Sequence, residues 1–135
     1  MSKLLHCLVV TPEATALEQD AEFVALPLYD GEIGIAPSHS PMIGRLGYGE
    51  MRIRSAGGNT SSYYIDGGFV QVADNVVSVL TNRAVPAARL DPAAAETQLE
   101  TATQRPANTP ELAELRERVI AQARAQIRVA RRSRI

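Results

Sequence analysis

The first 85 residues alternate apolar and polar positions with the two-residue period of β-strands. Turn residues such as Pro12, Gly31 and Gly58 separate these short runs. Asp74 and Asn75 tolerate positive φ, which predicts a tight hairpin between the last two runs. The runs cover residues 4–10, 23–26, 50–54, 62–65, 69–72 and 76–80. Short strands at this regular spacing predict an all-β domain, either a sandwich or a barrel.

The last third of the chain changes to helical spacing. Asp91 followed by Pro92 is a helix-start signal, and the helix is predicted to extend to about residue 104. Thr109 and Pro110 repeat the signal for a second helix. The apolar positions of that helix are Leu112, Leu115, Val119, Ala123, Ile127 and Ala130. The pattern predicts a helical hairpin with arms about 20 Å and about 36 Å long.

The chain therefore divides into an expected β domain of residues 1–87 and a hairpin of residues 88–135. Alanine dominates the apolar stripe of the hairpin. A buried leucine contributes about 1.5–3 kcal/mol, and a methyl group contributes far less. We expect the hairpin to dock weakly and reversibly on the β domain. The alternative is an ordinary helical appendage that never detaches.

The charge distribution differs between the two parts. The 135 residues have a net charge of −1, which argues against a general nucleic-acid-binding protein. Residues 1–90 hold six Lys/Arg and nine Asp/Glu, whereas residues 91–135 hold eight and six. The last 17 residues contain five arginines and no acid: Arg124, Arg128, Arg131, Arg132 and Arg134. A basic end on an acidic body indicates an acidic partner for the tail.

Several classes of protein are excluded by composition. The single cysteine, Cys7, rules out an internal disulfide. No stretch approaches the roughly 18 apolar residues of a membrane span, and no signal-peptide or transit-peptide pattern is present. We expect a cytosolic bacterial protein, which can still act at a membrane by binding a membrane-embedded partner.

The sequence offers little chemistry for catalysis. His39 lies between Ser38 and Ser40, but adjacent residues of an extended loop point apart, and no nucleophile-elbow motif occurs. His6 fits a core or edge position of a strand, and Cys7 fits a small buried apolar residue. Two histidines and one cysteine make a zinc site improbable. No phosphate-binding loop of the G-x-x-x-x-G-K-[ST] type is present. The chain is therefore expected to be non-catalytic.

One irregular segment, residues 30–41, combines two glycines, three acids or histidines, and two prolines. Rigid loops of this kind often mark binding surfaces, although a solvated connection is the alternative. The segment resembles the G-x-x-G-x-x-P-x-H-x-P loop of the epsilon-subunit family of F-type ATP synthases. Residues 47–53, 67–72 with 75–80, and the helical segments around 90–92 and 126–129 resemble further motifs of that family, in the same order.

This resemblance implies a β-sandwich of about ten strands followed by a C-terminal α-helical hairpin. It also implies a central-stalk rotor component in ATP synthesis driven by an ion gradient. Thr11 and His39 are expected to face the shaft, the gamma subunit. Asp30 and Glu32 are expected to meet the c-subunit ring. The protein would lie at the cytoplasmic face of the bacterial inner membrane and reach the membrane only through the complex, with no nucleic-acid partner.

The resemblance assigns a regulatory role to the hairpin. In one state it folds against the sandwich, and in the other it extends along the shaft among the alpha and beta subunits and inhibits ATP hydrolysis. Candidate contacts to an acidic loop of beta are Arg124, Arg128, Arg131 and Arg132, several of which share one helical face. A merely solvated basic face is the alternative.

The chain departs from the nucleotide-binding members of the family. Their I/L-D-x-x-R-A pattern is matched at Asp91 but has Ala94 in place of arginine, and Gln122 and Gln126 stand where further arginines are expected. The loss of guanidinium groups removes bidentate phosphate contacts. We predict weak or absent ATP binding by the hairpin, and no other cofactor.

Two rival functions remain open at the level of sequence. The first is a free-standing β-sandwich binding module with a helical oligomerisation tail. The second is a small hydrolase that uses His39. Neither explains why several family motifs occur in order along the chain.

Overall fold

The computed structural model describes residues 3–133, with the side chain of residue 133 excepted. Eight strands are followed by a short 3-10 turn at Ala87–Arg89 and two helices, α1 (Pro92–Thr103) and α2 (Pro110–Ser133). The strands are β1 (Leu5–Val10), β2 (Thr15–Ala21), β3 (Phe23–Leu28), β4 (Gly31–Ile35), β5 (Met42–Arg54), β6 (Thr60–Ala73), β7 (Val76–Leu80) and β8 (Ala84–Pro86).

The hydrogen-bonded order of the strands is β2-β1-β7-β6-β5-β3-β4, and β8 also pairs with β6. Two strands serve both layers of a sandwich, because β5 and β6 are 13 and 14 residues long and change neighbours midway. The second half of β6 pairs with β7, whereas its first half pairs with β8. β3 pairs with β5 mainly at residues 52–54 of β5. If the halves of β5 and β6 are counted separately, the eight strands make the ten that were predicted.

Glycine permits the bend between the two halves of β6. Gly67 and Gly68 have φ of 72° and 106°, values that side chains rarely allow. A Cβ at Gly68 would lie 1.8 Å from the carbonyl oxygen of Leu80, so the backbone of β7 leaves no room for one. The predicted hairpin at Asp74 and Asn75 is confirmed, with φ of 50° and 64°.

The sandwich core lies between the two layers. Val9, Val70 and Val79 face it from one layer, and Leu26 and Ile53 face it from the other, all fully buried. Cys7 is buried in the same cluster, as predicted for a small apolar residue. Aliphatic side chains fill this core, consistent with the scarcity of aromatic residues.

Both predicted helix starts are confirmed. The Asp91 carboxylate accepts hydrogen bonds from the backbone N–H groups of Ala93 and Ala94 at 3.1 and 3.2 Å. The Thr109 hydroxyl accepts from the N–H of Leu112 at 3.1 Å. These side chains satisfy N–H groups that lack partners within the first helical turn. The helices are about 18 Å and about 36 Å long.

The hairpin is folded against the sandwich in this structure. Ala125, Val129 and Ala130 of α2 pack on Tyr64 and on Leu90. Two of these three α2 residues are alanine, as the sequence indicated, whereas the sandwich side contributes larger side chains. The predicted apolar stripe is only partly correct, since Leu112 and Leu115 are 40% and 43% exposed. They lie in the half of α2 that precedes its contacts with the sandwich. No helix among residues 3–133 is long and apolar enough to span a membrane.

Candidate partner-docking surfaces

The outer side of one sandwich layer exposes a large apolar surface. The pairing register aligns Arg45, Phe69, Leu80 and Val10 in one row, and Ile43, Gln71, Ser78 and Leu8 in the next. Paired residues of neighbouring strands project from the same side of a sheet. We call this surface the outer apolar face; its most exposed members are Ile43 (77%), Phe69 (59%), Leu80 (54%) and Val76 (37%).

A groove of about 880 Å³ crosses the end of the outer apolar face. Val10, Phe69 and Leu80 line it, and Arg45 and Thr11 stand at its margin. Contiguous apolar surface of this kind on a soluble protein marks a site of interaction with another macromolecule. One feature of the sequence indicates this surface. β1 and β7 have apolar residues on both sides, which is typical of strands that are covered on both sides.

Thr11 and His39 lie at opposite ends of this face. Thr11 follows β1 beside Thr81, whose N–H donates to the carbonyl of Val10 at 3.0 Å. The loop that carries His39 is tied to the other end of β7, because the N–H of Ser38 donates to Asn75 Oδ1 at 2.6 Å. The structure therefore places the two predicted shaft residues on the margins of one surface, separated by the length of β7.

The His39 side chain has a structural partner. Its Nδ1–H donates to the carbonyl of Ser40 at 2.7 Å. Because a carbonyl only accepts, Nδ1 carries a proton, and in the neutral ring Nε2 is then an acceptor. Within the described residues no hydrogen bond joins a serine hydroxyl to His39, and no group of three or more His, Cys, Asp or Glu residues is placed to bind a metal ion.

An ionic cluster lies at the β1–β2 margin of the outer apolar face. The two ring nitrogens of His6 lie 3.2 Å from Asp20 Oδ1 and 2.6 Å from Glu18 Oε2. Hydrogen bonds to these carboxylates, with that to Asp20 the larger influence, raise the pKa of His6 above 6.5. The sequence placed His6 at a core or edge position, and the ring is in fact half-exposed.

Asp30 and Glu32 lie on the β3–β4 hairpin, on the other layer. Asp30 is exposed in the turn, and Glu32, the second residue of β4, pairs with Pro27. The Glu32 carboxylate accepts from Arg52 Nη2 at 2.8 Å and remains half-exposed. Tyr29 of the same turn is 66% exposed, with the Arg45 guanidinium 5.5 Å from its ring centre. This hairpin presents two acids to solvent, and its Tyr29 ring borders the Arg45 end of the outer apolar face.

Buried polar groups fasten α2 to the sandwich. Asp66 is 6% exposed and accepts from the Tyr64 hydroxyl at 2.6 Å and from Gln122 Nε2 at 3.1 Å. Burial and the neighbouring Asp66 carboxylate raise the pKa of Tyr64 well above its usual range, and a hydrogen bond with Gln126 acts in the opposite direction. Gln122 and Gln126 therefore face the sandwich in the docked state.

Glu50 is the second buried acid beneath α2. Its carboxylate accepts from Arg132 Nη1 at 2.9 Å and from Arg52 Nη1 at 3.1 Å. The alternation of polar and apolar residues over 50–54 is typical of a strand with one side in water, but Glu50 on the polar side is only 7% exposed. The strand does have an outward side there, but α2 covers it. Sequence analysis missed Glu50, Tyr64 and Asp66 because their burial depends on a helix more than 50 residues later.

The four predicted arginines of α2 divide into two groups. Arg124, Arg128 and Arg131 line a cavity of about 350 Å³ with Glu96 and Leu99 of α1. Arg131 donates to Glu96 at 3.1 Å, whereas Arg132 turns towards the sandwich and Glu50. No ion pair joins Arg124 or Arg128 to another residue of the described part of the chain. Arg134 lies outside the described residues.

Comparison with known proteins identifies the family. Residues 4–87 match the β-sandwich domain of the ATP synthase delta/epsilon chain. The ATP synthase epsilon chain of Rhodopirellula baltica is 47% identical over 127 residues, which cover 94% of this chain and 98% of the relative. That of Nitratidesulfovibrio vulgaris strain DP4 is 36% identical over 131 residues, which cover 97% and 92%.

Solved structures share the fold. A chain in the cryo-EM structure of the Euglena gracilis mitochondrial ATP synthase (OSCP/F1/c-ring) superposes with a TM-score of 0.80 at 23% identity. The match covers 90% of this chain and 78% of that one. A chain of the Tetrahymena thermophila mitochondrial ATP synthase central stalk and c-ring gives 0.74 at 14% identity, covering 96% and 98%. With its sandwich matched as a domain and a 47% identical relative spanning nearly its whole length, the chain belongs to the ATP synthase epsilon-chain family and is a non-catalytic subunit.

Proposed function

We propose that this protein joins the gamma shaft of a bacterial ATP synthase to its c-subunit ring, and that the hairpin regulates ATP hydrolysis. The observation that carries the proposal is the outer apolar face, whose four most exposed side chains lie on three adjacent strands. Exposed apolar area is worth about 25 cal/mol per Å² when a partner covers it. A shaft built of helices would cover this face and bury Phe69 and Leu80.

Thr11 and His39 border the shaft contact in this proposal. Both are half-buried at the ends of β7, and each is held by backbone or carbonyl hydrogen bonds. They act as rigid margins that fix the register of the shaft, while the apolar side chains between them supply the free energy of binding. The free Nε2 of His39 accepts a hydrogen bond from the partner.

The β3–β4 hairpin carries the ring contact. Asp30 and Glu32 offer carboxylates to polar or cationic loops of the c-subunit ring, and this contact brings the protein to the cytoplasmic face of the inner membrane. Asp30 and Glu32 are not members of the outer apolar face, so the shaft and the ring can be bound at the same time.

The helical hairpin acts as a releasable inhibitor. Its docking surface places the small side chains of Ala125, Val129 and Ala130 on the sandwich, and its polar contacts include Gln122 to Asp66, Gln126 to Tyr64 and Arg132 to Glu50. A partner can shift the hairpin from the docked to the released state only by binding the released state more tightly. Because the docking interface is small, a modest difference in binding free energy is enough for this shift. On release, Arg124, Arg128, Arg131 and Arg132 become available to acidic surfaces of the alpha and beta subunits.

The proposed roles of residues 1–87 in docking and of residues 88–135 in inhibition are tested with an alpha–beta–gamma complex. ATPase activity is measured with the full chain and with a chain truncated after Arg89. We expect both forms to bind, and only the full chain to inhibit. Failure of both to bind would remove the proposed function, and equal inhibition by both would remove the regulatory role of the hairpin.

A further inference from the structure

Four charged side chains form a continuous chain of ion pairs from the β3–β4 hairpin to α2. Arg52 donates Nη2 to Glu32 Oε1 at 2.8 Å and Nη1 to Glu50 Oε1 at 3.1 Å. Arg132 donates Nη1 to the same oxygen of Glu50 at 2.9 Å. These ion pairs thus link an exposed acid of the proposed ring contact to the last described turns of α2.

Glu50 is the shared member of this chain. Its side chain is 5% exposed, whereas Glu32, Arg52 and Arg132 are 53%, 35% and 60% exposed. A buried carboxylate needs compensation by charge or hydrogen bonds. Two guanidinium groups supply it through one oxygen, so each reduces the benefit that Glu50 gains from the other.

Arg52 is in turn shared between two acids. Its guanidinium cannot move fully towards Glu50 while Glu32 also holds it. Hydrogen bonds to Glu32, and to a lesser extent to Glu50, raise the pKa of Arg52 above its ordinary value. A cavity of about 170 Å³ borders Glu32, Glu50 and Arg132, which leaves space for these side chains to rearrange.

We propose that Arg52 is a positioning residue that makes occupation of Glu32 and docking of α2 mutually antagonistic. A cationic side chain of a partner that pairs with Glu32 releases Arg52 to Glu50. Glu50 then gains less from Arg132, and α2 docks more weakly. The proposal rests on the proposed function only for the identity of that partner, a basic or amide-bearing loop of the ring.

Linkage requires the reverse effect as well. When α2 leaves, Glu50 loses Arg132 and draws Arg52 away from Glu32. The Glu32 carboxylate is then free to bind the ring loop more tightly. An effect of one site on the affinity of the other is equal in both directions. The ring contact and the inhibitory helix thereby communicate through the four side chains of Glu32, Arg52, Glu50 and Arg132.

The antagonism is measured in the isolated full-length chain by hydrogen exchange of α2 backbone amides. Glu32→Gln removes the charge that holds Arg52 and imitates an occupied Glu32. We expect α2 amides to exchange roughly two- to fivefold faster, the range for one exposed charge pair. Amides of β6 and β7 are expected to keep their rates, which separates weaker docking from general unfolding.

Two further variants make the test specific. Asp30→Asn removes an equal charge from the same hairpin, two residues from Glu32, and is expected to leave α2 exchange unchanged. In an Arg52→Gln background, Glu32→Gln is expected to have no further effect. Equal acceleration by Asp30→Asn, an undiminished effect in the Arg52→Gln background, or no effect of Glu32→Gln would overturn the proposal. These measurements use the isolated chain without other subunits. Failure of this proposal would therefore not bear on the proposed binding of the gamma shaft and the c-subunit ring.

Discussion

The Gln122 amide of α2 donates a hydrogen bond to the Asp66 carboxylate of β6, with Nε2 3.1 Å from Oδ1. Asp66 is nearly buried and also accepts from the Tyr64 hydroxyl. The two residues are 56 positions apart in sequence, and their contact exists only while the hairpin is docked. The bond therefore stabilises the docked state, because on release of α2 the Asp66 carboxylate loses the donor that Gln122 provides.

Gln122→Ala is expected to weaken docking of the hairpin. Loss of a partly buried hydrogen bond to a charged group costs about 1.5 kcal/mol. Exchange of α2 amides should accelerate by about tenfold, since about 1.4 kcal/mol corresponds to a factor of ten. Gln98→Ala, an exposed glutamine of α1, serves as the control and should leave α2 exchange unchanged. Equal rates in wild type and Gln122→Ala would contradict this role of Asp66.

Gly68→Ala is expected to destabilise the sandwich severely. Its φ of 106° is unfavourable for alanine, and the new Cβ would meet the Leu80 carbonyl at 1.8 Å. The free energy of unfolding in urea should fall by at least about 3 kcal/mol. Gly57→Ala, where a Cβ meets nothing within 4 Å, should change it by less than about 0.5 kcal/mol. Similar losses for both variants would refute a steric cause.

The His6 cluster predicts a pH dependence. Pairing with Asp20 and Glu18 raises the pKa of His6 in the folded state above 6.5. The stabilisation is fully present below 6.5 and is lost as the pH rises through the raised pKa, because the unfolded state binds fewer protons in that window. An NMR titration should give a pKa above 6.5 that falls in Asp20→Asn. A His6 pKa unchanged by that substitution would show that the carboxylate has no such influence.

Cys7 is expected to be unreactive in the folded protein. Burial raises the pKa of its thiol to about 12, and the thiolate is the reactive form. A thiol reagent at pH 8 should label Cys7 only as fast as the sandwich opens, and labelling in denaturant should be immediate. Rapid labelling of the native chain would indicate that β1 is less well packed than described.

Local signals in the sequence predicted parts of β1, β3, β5, β6 and β7 and both helices, whereas β2, β4 and β8 were not among the predicted runs. The two-residue period marks the strands, Asp91 and Thr109 mark the helix starts, and Asp74 with Asn75 marks the hairpin before β7. These features depend on residues close together in the chain. An all-β domain and a helical hairpin were predicted correctly for that reason, and the choice of a sandwich over a barrel came from the family resemblance.

The sites that involve distant residues were not predictable in the same way. An acid such as Glu50 or Asp66 is expected at the surface, because nothing near either residue in sequence indicates that α2 will cover it. Leu112 and Leu115 fit the apolar stripe of α2, yet they remain substantially exposed. Thr11 and His39 were chosen by family resemblance, and their positions at the two ends of β7 follow only from the strand order.

The most direct test of the account measures binding of the full chain to the isolated gamma subunit after Phe69 and Leu80 are changed to serine. If the outer apolar face binds the shaft, the double substitution should raise Kd by at least about 30-fold, the effect of losing about 2 kcal/mol at a central contact. Thr60→Ala, which alters an exposed residue at the β5–β6 turn, at the other end of β5 from Arg45, should change Kd by less than about threefold. Unchanged affinity in the Phe69→Ser/Leu80→Ser chain would contradict the central claim.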